Sequence, residues 1–103
     1  MNKKRIAVVS TDGITVNEHF GKAKCFLIFD VNDQMILVEK RKTQTLSTGN
    51  LNHPFDPEKF SRIANLLKDC SKVYVSRIGD TPAAKLMDLG IEPVVFSGNI
   101  SDI

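Results

Sequence analysis

The chain has 103 residues, the size of one domain, and a composition of 42% hydrophobic and 25% charged residues places it among ordinary globular proteins. A formal net charge of +2 is too weak a bias to point to nucleic acid, and no apolar run approaches the ~20 residues that span a bilayer. The apolar run after the basic start covers only residues 6–9, too short for a signal-peptide core of roughly 7–15 residues, so a cytoplasmic protein is expected. Cys25 and Cys70 lack C-x-x-C spacing and read as free thiols of a reducing compartment.

Residues 6–10 are a short, mostly apolar run with two valines, which suits a central strand buried on both faces. Asp12-Gly13 predicts a turn, and a polar loop follows to residue 24, with one helical turn over residues 20–24. Residues 25–31 form a second, strongly apolar strand. Asn32-Asp33 reads as a two-residue hairpin turn, weakened by the missing glycine, into a third strand over residues 34–41. The first three strands are expected to form an antiparallel meander. Residues 42–55 are polar and without period, long for a connector in a compact domain and therefore functional or mobile.

Asp56 and Pro57 then predict a helix start, with Phe55 and Phe60 at the spacing of a hydrophobic staple. Phe60, Ile63, Ala64, Leu67 and Cys70 share its inner face, and Lys59, Arg62, Asn65 and Lys68 the outer. Residues 72–78 make a fourth strand. Thr81 and Pro82 predict a second helix start, and Gly90 its end, with Ile91 placed to touch Leu86 as in a Schellman motif. A last strand covers residues 93–96, leaving 97–103 as a loose tail or final turn. The order β-β-β-α-β-α-β, with right-handed crossovers, implies a mixed α/β sheet of five strands with helices packed on it. The loops after the first and fourth strands then meet at one sheet edge, where such folds bind ligands.

Asp12-Gly13, then Val16-Asn17-Glu18-His19-Phe20-Gly21 and an apolar strand, resemble the dinitrogenase iron–molybdenum cofactor-binding family. So do residues 67–75, the stretch Arg77-Ile78-Gly79-Asp80-Thr81-Pro82-Ala83-Ala84-Lys85-Leu86, and the later Leu89-Gly90-Ile91. The match spans nearly the whole chain, in order. The resemblance implies an RNase H-like three-layer fold in one domain over residues 1–103. It also implies a non-catalytic role, the binding and transfer of an iron–sulfur cluster, the iron–molybdenum cofactor or its precursor, held transiently and absent from some preparations. The implied partners are metallocluster donor and acceptor proteins, among them nitrogenase assembly proteins, with neither nucleic acid nor membrane, and a monomer or weak dimer. The family's histidine falls on His19, as metal ligand, and its flanking loop on Asn17, Glu18, Phe20 and Gly21.

The residues allow a second reading at each position. Neutral imidazole is a common transition-metal ligand, but a loop histidine can equally hydrogen-bond the backbone around it. Cys25 is a soft donor or a small core residue, Cys70 reads as core, and His53 as a surface histidine able to fold over the site. Lys22, Lys24 and Arg77 would attract an anionic cargo or merely face solvent. Asp12 and Glu18 would oppose an anion if they faced it, and Asp12 is also placed to cap a turn. Gly13, Gly21 and Gly79 either supply unusual backbone angles or let a bulky ligand approach. The first predicted strand lacks the grouped carboxylates of a two-metal nuclease, and no phosphate loop or nucleophile elbow occurs, so no enzyme is expected. The alternative is a regulatory or scaffold protein of the same fold that carries no cluster.

Overall fold

A computed structural model describes residues 4–43 and 57–103. The Asp56 cap, the Phe55 staple position, His53 and most of the 42–55 connector lie outside the described residues. Strand β1 (Lys4–Val8) sits at the centre of a five-stranded sheet. It is flanked on one side by β3 (Cys25–Val31) and β4 (Met35–Lys42), and on the other by β5 (Lys72–Val75) and β6 (Glu92–Val95). Ala7 pairs antiparallel with Ile28 and parallel with Val73, so the sheet changes sense across β1. The meander and the two parallel crossover strands thus form as the hydrophobic pattern predicts, in a mixed sheet with two helices.

Alternation along the strands divides the core in two. Ala7, Val9, Phe26, Ile28, Val73 and Val75 pack against α1 (Pro57–Leu67) and α2 (Asp80–Asp88). Helix α1 contributes Phe60, Ile63, Ala64 and Leu67, with Cys70 just beyond its end, and these are the five residues of the predicted inner face. On the opposite sheet face Ile6, Val8 and Leu27 meet Val16 and Ile100. That face carries no α-helix among the described residues, so the expected three layers are not seen there: both helices lie on one side of the sheet. The opposite face is covered instead by a two-stranded sheet of β2 (Thr15–Val16) and β7 (Gly98–Asn99), with a 3-10 turn at Ile100–Asp102, whereas a second 3-10 turn, Phe20–Lys22, puts Phe20 into the helix-side core.

Several boundaries differ from expectation: β1 covers Lys4–Val8 rather than 6–10, and β4 and β6 are each displaced by one residue. The hairpin after β3 has a three-residue loop, because Val31 pairs with Met35 and the Asn32 amide donates to the Gln34 carbonyl. Without glycine at residues 32–34, a tight two-residue turn with positive φ is disfavoured. Helix α2 starts at Asp80 rather than behind a Thr81 cap. Gly79 is its N-cap in extended conformation, and its carbonyl takes the Ala83 amide at 3.1 Å. Pro82 still lies in the first turn, where no amide is needed. Strand β5 stops at Val75, and the tail is not loose: Ile100 is buried and its amide donates to the Ile14 carbonyl at 2.8 Å. The Schellman ending is present, with Gly90 at φ +83° and the Ile91 amide on the Leu86 carbonyl at 2.9 Å.

Arg5 on β1 donates to Asp30 at 2.7 Å and Asp69 at 2.9 Å, and Arg41 on β4 donates to Asp69 and to the Leu66 carbonyl. This pins the C-terminal end of α1 to the sheet. No helix among the described residues is long and apolar enough to cross a membrane.

Candidate functional site

The loop from Ser10 to Lys24 crosses the carboxyl end of β1, and its two halves are held differently. In the first half, polar side chains bind the loop to itself. Ser10 is buried, and its hydroxyl donates to Asp12 Oδ1 at 3.0 Å and accepts the Gly13 amide at 2.9 Å. Asp12 Oδ1 also accepts the Ile14 and Thr15 amides, each at 2.8 Å, and its Oδ2 accepts the Thr15 hydroxyl at 2.9 Å. The Thr15 amide, then that of Ile14 and the Thr15 hydroxyl, hold the Asp12 carboxyl well below the usual carboxylate range. Asn17 clasps Thr11, accepting its amide at 2.9 Å and donating to its hydroxyl at 2.7 Å. Gly13 has φ +74°, a left-handed conformation that favours glycine, whereas neither Gly21 nor Gly79 has positive φ.

In the second half the backbone does the holding. The Ser76 amide donates to the Glu18 carbonyl at 3.0 Å and the Phe20 amide to the Arg77 carbonyl at 2.9 Å, so His19 and Arg77 form a parallel bridge beyond the end of β5. The loops after β1 and β5 therefore do meet at one sheet edge. Phe20 is fully buried, its ring 6.0 Å from that of Phe26 and 6.4 Å from that of Phe60. It anchors the 3-10 turn in the helix-side core, and its amide and carbonyl are taken up by the Arg77 carbonyl and the Ala23 amide. The carboxylate of Glu18 accepts the His19 amide at 2.8 Å. The His19 imidazole is half-buried and has no hydrogen-bond partner among the described residues. No buried side-chain nitrogen or oxygen lacks a partner there, so its unpartnered ring nitrogens reach the surface.

Beside the loop a cavity of about 510 Å³ opens between the end of β1, the start of β3 and the end of β4. Ser10, Glu18, Lys22, Lys24, Cys25 and Lys40 are among its lining residues. None of the three lysines has an ion-pair partner among the described residues. Asp12, Gly13 and Glu18 of the predicted site also line it, whereas Asn17, His19, Phe20, Gly21, Arg77 and Gly79 do not. The predicted set thus divides between the cavity and the neighbouring bridge at the β5 end. Lys22 joins the two, because its amide donates to the His19 carbonyl at 3.0 Å.

Lys40 is a lining residue that the sequence pattern did not single out. It reaches the cavity because β4 pairs it with Leu27, next to Cys25 on the same sheet face. Ser10, Thr11 and Thr15 were also missed as organisers of the loop. The Ser-x-Asp-Gly spacing is the signal that could have found Ser10. Cys70 is not available to a ligand: it is buried, and burial, then the Asp69 charge, push its thiol up to about 12. Among the described residues no three of His, Cys, Asp and Glu are grouped to hold a metal ion.

A family model described as dinitrogenase iron-molybdenum cofactor matches residues 2–103. The chain is 30% identical over 96 residues to protein NifX of Azotobacter vinelandii, covering 90% of this chain and 56% of that protein. It is 38% identical over 93 residues to FeMo cofactor biosynthesis protein NifB of Klebsiella pneumoniae, covering 87% of this chain but only 20% of the relative. The chain thus spans about half of NifX and a fifth of NifB. Among solved structures, the crystal structure of PH0822 superposes with a TM-score of 0.69 at 26% identity, covering 95% of this chain and 84% of that one. The model match over nearly the whole chain places this protein in the dinitrogenase iron-molybdenum cofactor family.

Proposed function

We propose that this chain takes part in metallocofactor biosynthesis as a non-catalytic carrier. It binds a preformed iron–sulfur cluster, the iron–molybdenum cofactor or its precursor as cargo, and hands it on unchanged. Membership of the family supports this reading, as do the names of the NifX and NifB relatives. The observation that carries it is the His19 imidazole, without a partner among the described residues, on a loop whose first half has bound its polar side chains to itself. In this reading His19 is the metal ligand. Arg77, Gly79, Gly21 and the Asn17–Phe20 backbone frame it, and Asp12 and Gly13 keep the loop in shape. Lys22, Lys24 and Lys40 favour the anionic charge of the cargo from the cavity side. A single ligand suits a cargo that must leave again.

The same reading makes residues 1–103 one cofactor-binding domain of RNase H-like type. It places the protein in the cytoplasm, between a metallocluster donor and an acceptor among nitrogenase assembly proteins.

Anaerobic titration with a preformed cluster, followed by absorbance and bound iron, tests it. The parent takes up cluster. His19→Ala weakens uptake about tenfold or more, the loss of at least ~1.4 kcal/mol of binding, with an unchanged unfolding midpoint. Equal uptake by both overturns the His19 assignment. Uptake by neither favours a scaffold or regulatory role for the fold.

A further inference from the structure

The two edges of the sheet are protected unequally. Strand β6 is four residues long and carries Pro93, which has no amide to offer a neighbouring strand. Strand β4 is eight residues long and has no strand on its outer edge among the described residues. Three consecutive apolar side chains on it are exposed: Ile36 at 59%, Leu37 at 55% and Val38 at 45%. Val38 is the bulged residue, since Leu37 pairs with Phe29 and Glu39 with Ile28. A bulge ordinarily blunts an edge, but here it presents one more apolar group. The charged residues that discourage edge pairing occupy only the second half of the strand, from Glu39 to Lys42.

We propose that the outer edge of β4 is a homodimer interface, in which two copies pair their β4 strands antiparallel about a two-fold axis near Leu37. An edge of amides and carbonyls that no described strand pairs calls for an extended strand as partner, and charge selects a second copy. Antiparallel pairing about Leu37 sets the Ile36–Val38 segments against each other. It also brings Asp33, in the turn before one β4, opposite the Lys40–Lys42 stretch of the other, and the two-fold repeats this contact. Asp33, Lys40 and Lys42 have no ion-pair partner within the chain among the described residues. Arg41 lies between the lysines but turns to Asp69 on the helix side. The two five-stranded sheets would join into one continuous sheet, with the helices of both copies free to stay in place. Lys40 then belongs to both the cavity and the interface.

Sedimentation equilibrium of the full chain, from micromolar to about 1 mM, tests the interface. The parent shows a concentration-dependent monomer–dimer equilibrium. Leu37→Lys and, separately, Ile36→Lys raise the dissociation constant by about tenfold or more, because each places an unpaired charge in the apolar contact. Both sites are exposed, so the unfolding midpoint stays near the parent's. Asp33→Lys weakens association severalfold, and adding Lys40→Asp and Lys42→Asp restores it. A parent that stays monomeric throughout overturns the proposal, and protection of its β4 amides from hydrogen exchange would then show the edge covered by the chain itself. A dimer insensitive to all these changes overturns it equally, by placing the contact elsewhere.

Discussion

The two halves of the loop after β1 are similarly polar, yet the fold uses them in opposite ways. From Ser10 to Asn17 the side chains make the structure: Asp12 gathers two amides and two hydroxyls, and Asn17 ties back to Thr11. From Glu18 to Lys24 the backbone makes it, by pairing with Ser76 and Arg77 and by burying Phe20. The His19, Lys22 and Lys24 side chains are thereby released from structural work among the described residues. A loop held by its own carboxylate and amide groups has little left for a ligand. One held through its backbone can present His19, Lys22 and Lys24 outward from a fixed frame.

The largest expected break in this arrangement is Phe20→Ala. Phe20 is fully buried against Phe26 and Phe60, so its loss leaves a cavity in the helix-side core. A destabilisation of about 3–5 kcal/mol is expected, read from the urea midpoint. The second half of the loop should loosen as well, seen as faster hydrogen exchange at the Phe20 and Ser76 amides. A change well under 1 kcal/mol would mean that the 3-10 turn is not anchored by this ring.

Asp12→Ala probes the first half and has a smaller expected effect with a distinctive pH dependence. The Asp12 carboxyl is held below the usual carboxylate range, chiefly by the Thr15 amide. A depressed carboxyl contributes stability that is present above its unfolded value, near 3.9, and lost as the pH falls toward its folded value. The variant should therefore unfold more easily than the parent at pH 7, and the gap should narrow below about pH 4. Asp69, held low mainly by Arg41, stays in both proteins, so each keeps a residual acid sensitivity. A gap that is constant with pH would show that the Asp12 bonds do not depend on its charge.

These contrasts mark where the sequence could be read and where it could not. Strand β3, the inner face of α1 and the Gly90 ending were legible because apolar period, proline and glycine are local signals. The pairing of β2 with β7 was not, because two-residue strands from opposite ends of the chain have no period to detect. His19 was legible as a candidate through its motif, but not that its backbone bridges Arg77 while its ring has no partner among the described residues. Asp12 and Asn17 drew attention as polar loop residues, and their hydrogen bonds give them architectural work. Lys40 was invisible because its place beside Cys25 depends on strand register, not on proximity in the chain.

The smallest effect on stability, and the sharpest test of the comparison, is expected from Lys24→Gln combined with Lys22→Gln. Both residues are exposed at the cavity and have no ion-pair partner among the described residues, so the unfolding free energy should move by no more than about 0.5 kcal/mol. If the second half of the loop is a presenting surface, the two charges act on what approaches it. Association of an anionic cluster should then slow in the variant, and its salt dependence should flatten, because screened attraction between free charges is what the substitution removes. Stopped-flow uptake at two ionic strengths reads this out. A parent rate that is already independent of salt would mean that the lysines face solvent alone and that cargo approaches from the Arg77 side. An unfolding free energy that falls by more than ~1 kcal/mol would mean that these side chains, like those of the first half, are part of the frame.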